Sequence, residues 1–368
     1  MEGKNTASLT ERALKYDLTI PFARYVAMNA NTLTMPYKRY QMQQVWRADR
    51  PQRGRYREFT QCDADVVGST SLINEVELCT IYHRCFTKLG LKDYELKINS
   101  RKILAALAEI TAGADKMIDI TIAIDKLDKI GIDKVKDELA SRGLAEENII
   151  IIEKYLTING SNEDKIAAIE KLFEQSETGK AGIEELKYIM ANGKDINLTV
   201  DLTLARGLNY YTGIIFEAKA PEKVKMGSIG GGGRYDNLTG LFGVPNIAGV
   251  GISFGIDRIY DVLEELNLFP EDITSKTKAI FFNLGDDEAV TALQLMNILR
   301  DNNIACELYP EKVKLEKQFK YADKKNIPFA IIIGSKELED KTCMVKDLKK
   351  GEQIAISFEA LPLFLTDK

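Results

Sequence analysis

Residues 46–68 of the chain read Trp-Arg-Ala-Asp-Arg-Pro-Gln-Arg-Gly-Arg-Tyr-Arg-Glu-Phe-Thr-Gln-Cys-Asp-Ala-Asp-Val-Val-Gly. This stretch predicts a strand, a basic loop and a second strand, because Pro51 and Gly54 mark a turn between two arms. Side chains alternate along the returning arm, as they do in a strand with two different faces. Its ligand-like face carries Arg57, Phe59, Gln61, Asp63 and Asp65, and its core-like face carries Thr60, Cys62, Ala64 and Val66.

Five arginines crowd this hairpin: Arg47, Arg50, Arg53, Arg55 and Arg57. The planar guanidinium group holds phosphate oxygens through paired, charge-assisted hydrogen bonds. A solvated basic hairpin or a nucleic-acid patch would carry the same charge. The aromatic, amide and acidic side chains that follow in register favour a phosphate-binding loop that leads into a small polar pocket.

Composition places the chain among globular proteins with more than one hydrophobic core. It has 368 residues, 45% of them hydrophobic, which predicts two or three domains. No apolar run approaches the ~20 residues of a membrane helix, and the N-terminus lacks a basic-then-apolar signal pattern. We therefore expect a cytoplasmic protein without a membrane partner. The formal net charge of −5 argues against indiscriminate polyanion binding, but it allows a basic patch on an acidic body.

The five cysteines are odd in number and lack the spacing of a disulfide framework, which indicates reduced thiols. Cys79, His83 and Cys85 lie close together in sequence, but three ligands at helical spacing would splay apart. We therefore expect no metal site there. His83, the only histidine, is expected to be packed or exposed rather than catalytic.

Hydrophobic periodicity divides the first two thirds of the chain into strands and helices. Residues 101–193 are rich in Lys and Glu and carry apolar side chains three and four apart, which predicts a helical insertion with Ile118, Ile122, Leu127 and Ile130 on its apolar face. We also predict a strand that runs into a helix over 13–24, a helix over 71–90, and strands over 94–99, 196–204 and 213–217. Adjacent Tyr210 and Tyr211 would then point to opposite faces of a strand.

Two glycine-rich segments punctuate the region after the insertion. The run Gly227-Ser-Ile-Gly-Gly-Gly-Gly-Arg-Tyr-Asp236 lacks the Lys-Ser/Thr of a phosphate loop, so it indicates flexibility, a strand that a ligand approaches closely, or a bulge. Residues 249–255 do not match the dinucleotide fingerprint, and a helix over 256–266 follows them.

From residue 278 the pattern changes to short apolar strands that alternate with helices. The strands are predicted over 279–282, 304–308 and 329–333, and the helices over 286–301 and 314–325. This alternation predicts a small α/β domain, and the polar residues 267–277 are its linker.

Four segments, in order, resemble class II aminoacyl-tRNA synthetases, and specifically the histidyl-tRNA synthetase family. Tyr16-Asp-Leu-Thr19 resembles the first histidine-pocket segment, and Arg53-Gly-Arg-Tyr-Arg-Glu-Phe59 with the tail to Asp65 resembles motif 2. Leu204-Ala-Arg-Gly-Leu-Asn-Tyr-Tyr-Thr-Gly-Ile-Ile-Phe-Glu217 resembles the histidine-specific motif, and Gly249-Val-Gly-Ile-Ser-Phe-Gly-Ile-Asp-Arg258 resembles motif 3.

The resemblance implies an α+β fold, in which an antiparallel class II sheet is flanked by helices. The catalytic core would comprise residues 1–100 and 194–266, and the helical insertion would comprise residues 101–193. A C-terminal α/β anticodon-binding domain would follow the linker and span residues 278–368.

The resemblance also implies a reaction: ATP activates L-histidine to histidyl-adenylate, and the histidyl group passes to the 3′ end of tRNA(His), with Mg²⁺ accompanying ATP. The ATP contacts it implies are Arg47, Asp49, Arg55, Arg57, Phe59 and Arg258, with Phe59 and Arg258 around the adenine. The histidine contacts it implies are Asp17, Thr19, Gln61, Asp65, Arg206, Tyr210 and Tyr211. Arg47 and Arg206 would be catalytic and meet the α-phosphate from two sides.

The chain departs from the family pattern in three places. Asp49 stands where many class II members carry Glu, and Asn209 stands where Asp is frequent. The chain also reaches the Tyr16 segment almost at once, so we expect it to lack motif 1, the helix and strand that build the family's homodimer. Two other functions share these motifs: a regulatory protein that binds histidine without charging tRNA, such as the regulatory subunit of ATP phosphoribosyltransferase, and a tRNA-binding remnant.

Overall fold

The computed structural model describes residues 12–205, 210–270 and 277–366. It divides the chain into two compact units, Met1–Leu268 and Phe269–Lys368. Among the described residues, no helix has both the length and the apolar content needed to cross a bilayer.

Within its described residues, the first unit is built on a seven-stranded sheet with the order β1-β2-β7-β6-β5-β3-β4. Every neighbouring pair is antiparallel except β3 and β4, which run parallel. This is the α+β architecture that the motifs predict. The strands are β1 (Tyr37–Trp46), β2 (Glu58–Val67), β3 (Glu95–Ser100), β4 (Leu198–Val200), β5 (Ile214–Lys219), β6 (Ser228–Arg234) and β7 (Gly249–Gly255).

The basic hairpin forms as its sequence predicts. β1 and β2 pair along their whole length, from Tyr37 opposite Val67 to Trp46 opposite Glu58. Gly54 adopts φ +69° in the connecting loop, a conformation that disfavours residues with a side chain. The faces differ in burial from the expectation, because the ligand-like Gln61, Asp63 and Asp65 are fully buried, whereas Thr60, Cys62 and Ala64 on the core-like face are only half-buried.

Helices surround this sheet and form the insertion. Three of them lie outside the insertion: α1 (Thr19–Met28), α2 (Ile73–Lys88) and α10 (Ile256–Glu265). Between β3 and β4 the chain is helical, as predicted, and Ser100, Ser161 and Ser176 each accept a backbone N–H at a helix start. The insertion helices are α3 (Arg101–Thr111), α4 (Met117–Ile124), α5 (Leu127–Ile130), α6 (Ile132–Ser141), α7 (Glu146–Leu156), α8 (Asn162–Leu172) and α9 (Glu177–Asn192). Short 3₁₀ turns occur at Ala114–Lys116 and Leu238–Phe242.

Three local predictions are wrong. Residues 13–18 form no strand, and the helix begins at Thr19 with Asp17 Oδ1 accepting the N–H of Ile20 at 3.1 Å. The strand predicted over 196–204 is limited to Leu198–Val200, because Asp201 turns the chain by accepting the backbone and hydroxyl hydrogens of Thr203.

The third error concerns the apolar face of the insertion. Ile118 and Ile122 are exposed, and the same helix instead buries Ile120 and Ile124. The four residues do not lie on one helix, because α4 ends at Ile124 and α5 begins at Leu127. Leu127 and Ile130, the other two members of the stripe, are half-buried.

The second unit has a five-stranded sheet within its described residues, with the order β12-β11-β10-β8-β9. The predicted α/β alternation forms its parallel part, β10-β8-β9. Two antiparallel strands and two helices beyond residue 333 escaped prediction. The elements are β8 (Ala279–Phe281), α11 (Asp286–Asp301), β9 (Cys306–Leu308), α12 (Leu315–Lys324), β10 (Phe329–Ile332), α13 (Ser335–Asp340), β11 (Thr342–Asp347), β12 (Gln353–Ser357) and α14 (Leu361–Thr366).

Candidate active site

A cavity of about 350 Å³ opens on the sheet of the first unit. Its floor comes from β2, β5, β6 and β7, and its walls come from the segment before α1, the basic loop and the start of α10. Arg47, Arg55 and Arg258 line the end next to the basic loop, where Asp49 and Asp257 also lie, and Asp17, Gln61, Tyr210 and Tyr211 line the other end. A ligand with an anionic part and a cationic part would match this division of charge.

One position in the floor of the cavity carries no side chain. Asp63, Ser253, Gly231 and Glu217 stand opposite one another across four successive strands, so their Cβ positions share one face. Gly231 contributes no side chain between Ser253 and Glu217, which leaves room for a ligand close to the backbone. Close approach to a ligand agrees with the structure, because β6 is a strand paired on both sides, and the alternative of a bulge is also met by the register shift opposite Ala218 and Lys219.

The basic end holds cations that lack carboxylate partners. Arg47, Arg55 and Arg258 all line the cavity, and none of them makes an ion pair with a described residue. Arg258 is anchored by two carbonyl groups, with Nε donating to Gly54 at 2.5 Å and Nη1 donating to Ser228 at 2.6 Å. Burial lowers the pKa of Arg258, and the charges of Arg55 and Arg47 lower it further. Such a cluster of like charges favours a bound polyanion.

Arg47 is held by aromatic rings at the junction of the two ends. Its guanidinium carbon lies 4.3 Å from the ring centre of Tyr16 and 4.9 Å from that of Phe59. Its Nε donates to the Tyr16 carbonyl oxygen at 3.3 Å. Cation–π contact and this hydrogen bond place the charge before any ligand arrives.

Helix α10 fixes the basic loop through two acids. Asp257 Oδ2 accepts the backbone N–H of Thr60 at 2.7 Å. The Tyr56 hydroxyl donates to Asp261, and this hydrogen bond is the main cause of the raised pKa of Tyr56. Asp257 therefore joins the segments that resemble motifs 2 and 3, and Asp261, three residues beyond the latter, adds a second contact.

The polar end offers acceptors to a cation. Asp17 is buried, and its Oδ2 accepts the Tyr210 hydroxyl at 3.4 Å. Gln61 donates through Nε2 to Ser253 Oγ at 2.7 Å, whereas Gln61 Oε1 is buried without a hydrogen-bond partner among the described residues. An unpartnered buried acceptor in a cavity wall indicates a donor supplied by the ligand.

Tyr210 and Tyr211 both line the cavity, so the prediction that they face opposite ways is wrong. They precede β5 instead of lying in it, and their rings pack edge to face with centres 4.9 Å apart. Burial is the main cause of a raised pKa in both phenols, which therefore stay protonated and can donate.

Two buried carboxyl groups lie under this end. Burial raises the pKa of Asp63 to about 7 and that of Asp65 to about 6. Asp65 pairs with Arg39 at 2.9 Å and accepts the Tyr235 hydroxyl at 2.6 Å.

The structure brings most of the predicted site residues together. Asp65 lies behind the cavity wall, and Arg57 is exposed with its Nε 3.4 Å from the Asp49 carbonyl oxygen. Arg206 and Asn209 lie outside the described residues. The predicted residues that line the cavity are Asp17, Thr19, Arg47, Asp49, Arg55, Phe59, Gln61, Tyr210, Tyr211 and Arg258.

Sequence reasoning missed several contributors. Ser253 and Glu217 lie inside the segments quoted for the family resemblance, and their strand parity relative to Gln61 would have placed them on the cavity face. Arg39 stands directly opposite Asp65 in the pairing of β1 with β2, whereas Tyr235 reaches Asp65 from a distant part of the chain and left no local signal.

No group of three or more His, Cys, Asp or Glu side chains that could hold a metal ion occurs within the described ranges. His83 instead shares a 2.7 Å hydrogen bond between its Nδ1 and the hydroxyl of Tyr94.

Family models match nearly the whole chain. The model described as histidyl-tRNA synthetase matches residues 6–259, and the one described as anticodon binding domain matches residues 278–368. Among curated relatives, the histidine–tRNA ligase of Flavobacterium johnsoniae is 54% identical over 97% of this chain and 76% of its own length. That of Bacteroides fragilis strain YCH46 is 50% identical over 97% of this chain and 79% of its own.

Solved structures are also similar. The crystal structure of histidyl-tRNA synthetase from Nostoc sp. PCC 7120 has a TM-score of 0.83 and 32% identity, covering 96% of this chain and 83% of that one. A protein from Bacillus halodurans C, described as an ATP phosphoribosyltransferase regulatory subunit/histidyl-tRNA synthetase, has a TM-score of 0.70 at 22% identity, covering 87% of this chain and 80% of that one. This second likeness is one of fold alone.

Proposed function

The chain belongs to the histidyl-tRNA synthetase family, and we propose that its cavity joins L-histidine to ATP and then charges tRNA(His). The names of its relatives support histidine–tRNA ligase activity. The alternative interpretation, a regulatory protein without charging activity, is not favoured. The observation that carries the proposal is the division of the cavity into an arginine-lined end and an acceptor-lined end that meet at Arg47.

In the first step, a carboxylate oxygen of histidine attacks the α-phosphorus of ATP. A new P–O bond forms, the bond to the β-phosphate breaks, and pyrophosphate leaves with its negative charge. In the second step, a hydroxyl of the terminal adenosine of tRNA attacks the histidyl carbonyl carbon, and AMP leaves. Both steps require positioning and stabilisation of negative charge.

We assign ATP to the arginine-lined end. Phe59 and Arg258 are proposed to hold the adenine between them, and Arg55 and Arg57 to hold the outer phosphates. Arg47 would contact the α-phosphate and the histidine carboxylate, because it stands where the two ends of the cavity meet. From the sequence alone, we propose that Arg206 contacts the α-phosphate from the side opposite Arg47.

Histidine is assigned to the opposite end. Asp17, Thr19 and Gln61 would hold the ammonium group, for which the unpartnered Gln61 Oε1 is the strongest support. Tyr211 is proposed as the contact of the imidazole ring. Asp65 is proposed to act with it, because the charge of Asp65 raises the pKa of Tyr211 and keeps the phenol a donor.

Mg²⁺ would enter with ATP. In such sites magnesium keeps several waters and is held by phosphates with one or two carboxylates. Asp49, Glu217 and Asp257 line the cavity and could supply them, which fits the lack of a three-ligand cage among the described residues. The shorter Asp49, in place of the frequent Glu, would then set the carboxylate back from the metal by about one methylene group.

The second unit is proposed to bind the anticodon of tRNA, since its match to an anticodon-binding model covers residues 278–368. We further propose that the protein works in the cytoplasm, where its tRNA is charged, and that it forms a homodimer if the N-terminal motif 1 region is supplied. Five free cysteines fit a reducing compartment.

The charging step can be tested with the purified chain, labelled histidine, ATP and a transcript of tRNA(His). The proposal predicts histidine linked to the 3′ end, with loss of the product when the terminal adenosine is removed. A folded protein that binds histidine and tRNA but forms no charged product would contradict it.

A further inference from the structure

Asp63 is a buried acid for which the reaction as assigned above has no use. Its side chain is 2% exposed, and Oδ1 has no hydrogen-bond partner among the described residues. Because burial raises its pKa to about 7, the ionised form destabilises the fold near neutral pH. Buried acids whose ionised form destabilises the fold are found most often at functional sites.

A short chain of hydrogen bonds connects Asp63 to the cavity. Asp63 stands directly opposite Ser253 on β7, and the Ser253 hydroxyl lowers the Asp63 pKa that burial raises, as a donor to the carboxylate does. Ser253 Oγ in turn accepts Gln61 Nε2 at 2.7 Å. The Ser253 backbone is held by the Tyr82 hydroxyl, which donates to its carbonyl oxygen at 2.8 Å.

We propose that Asp63 is a positioning residue for histidine, acting through Ser253 on the amide of Gln61. This inference rests on the proposed histidine site. A serine hydroxyl has one hydrogen to donate. While Asp63 accepts that hydrogen, Ser253 can only accept from Gln61, so the Gln61 NH₂ group faces Ser253 and the buried Oε1 is left without a partner among the described residues.

Loss of the Asp63 acceptor would remove this constraint. The Ser253 hydroxyl could then donate to Gln61 Oε1, and the amide would turn its NH₂ group towards the cavity. An NH₂ group cannot accept the ammonium hydrogens of histidine, so histidine would bind more weakly. ATP, at the arginine-lined end, would be unaffected.

The test measures KM for histidine and for ATP in pyrophosphate exchange, using Asp63→Leu, Ser253→Ala and the double variant. We expect each single variant to raise the histidine KM about tenfold and to leave the ATP KM within about twofold. The double variant should be no worse than Ser253→Ala alone, because both act on one chain of hydrogen bonds.

Asp63→Asn is the matched control, because it keeps an acceptor oxygen and the side-chain volume. It should keep the histidine KM within about threefold of wild type. Should Asp63→Leu fail to fold, Ser253→Ala decides, and an unchanged histidine KM in that variant overturns the proposal.

Three results would overturn the proposal while wild type remains active: an unchanged histidine KM in folded Asp63→Leu, equal changes in the histidine and ATP KM, or a full additional effect of Asp63→Leu in the Ser253→Ala background. Absence of exchange in wild type would instead refute the proposed function itself.

Discussion

Neighbouring arginines of the basic loop occupy different environments. Arg55 lines the cavity, whereas Arg53, two residues earlier, points to the surface and pairs with Glu265 on α10. An exposed ion pair such as Arg53–Glu265 contributes little to stability or function. A cation preorganised beside a reacting phosphate contributes much more.

We therefore predict that Arg55→Ala lowers kcat/KM for ATP in pyrophosphate exchange by at least about tenfold. Arg53→Ala is the control on the same loop and should stay within about twofold. Equal losses in the two variants would mean that the loop acts only through its overall charge.

The buried acids make stability depend on pH. Burial raises the pKa of Asp63 to about 7 and that of Asp65 to about 6, so the folded state retains protons that the unfolded chain releases near pH 4. Their contribution is fully present below about pH 4 and is lost as pH rises through 6 to 7.

Asp63→Asn removes one of these titrations. Its free energy of unfolding relative to wild type should increase by roughly 4 kcal/mol between pH 4 and pH 8. Urea unfolding followed by the fluorescence of Trp46, the only tryptophan, reports on this unit. A pH-independent difference between the two proteins would contradict the raised pKa.

Among the helices and strands, the sequence predicts those whose formation depends on a local pattern of residues. The hairpin, α2 and the parallel part of the second sheet form where alternation and periodicity place them. Predictions failed where a side chain competes with the backbone pattern, as Asp201 does when it ends β4 after Val200.

Contacts between distant segments left no sequence signal. The ion pair of Arg234 with Glu75 and the hydrogen bond of Tyr235 with Asp65 join residues far apart in the chain. Most of the site residues named from the motifs line the cavity, but the resemblance could not show that Asp65 lies behind its wall.

Glycine on β7 sets the distance between two strands. A Cβ at Gly251 would lie 2.0 Å from Asp65 Oδ1, so the carboxylate would have to move. We predict that Gly251→Ala breaks the Arg39–Asp65 pair and destabilises the first unit by about 3 kcal/mol or more. Gly231→Ala, whose nearest contact would be 3.4 Å, is the milder control for urea unfolding. Equal midpoints for the two variants would contradict this role.

Helix α2 is tied to β6 by a buried ion pair. Arg234 donates to Glu75 through Nε at 2.5 Å and Nη2 at 2.8 Å, and both side chains are almost fully buried. Glu75→Ala would leave the buried Arg234 with only the partly exposed Asp236, which pairs with its Nη1 at 3.0 Å, and should cost about 3 kcal/mol.

Glu77→Ala is the control on the same helix, because Glu77 pairs with Lys38 in solvent and should contribute less than about 1 kcal/mol. Trp46 fluorescence during urea unfolding compares the two variants. A similar loss in both would argue against a structural role for the buried pair.

For the molecule as a whole, salt should weaken the binding of tRNA, a large polyanion, much more than the binding of histidine. The formal net charge is −5, so tRNA binding must depend on local basic surface. We predict that KM for tRNA rises about tenfold or more between roughly 50 and 200 mM salt. KM for histidine in pyrophosphate exchange should change by less than about twofold, because its site is buried in the cavity. An equal rise with salt in the KM for tRNA and the KM for histidine would contradict this prediction.

The central claim is that the cavity of the first unit forms histidyl-adenylate. Its most direct test is the exchange of labelled pyrophosphate into ATP by the purified chain, with each amino acid supplied in turn. We predict exchange with histidine and none above background with the others, because a wrong substrate would leave buried polar groups unpaired. A folded chain that shows no exchange with histidine, or exchanges equally well with another amino acid, would contradict the claim.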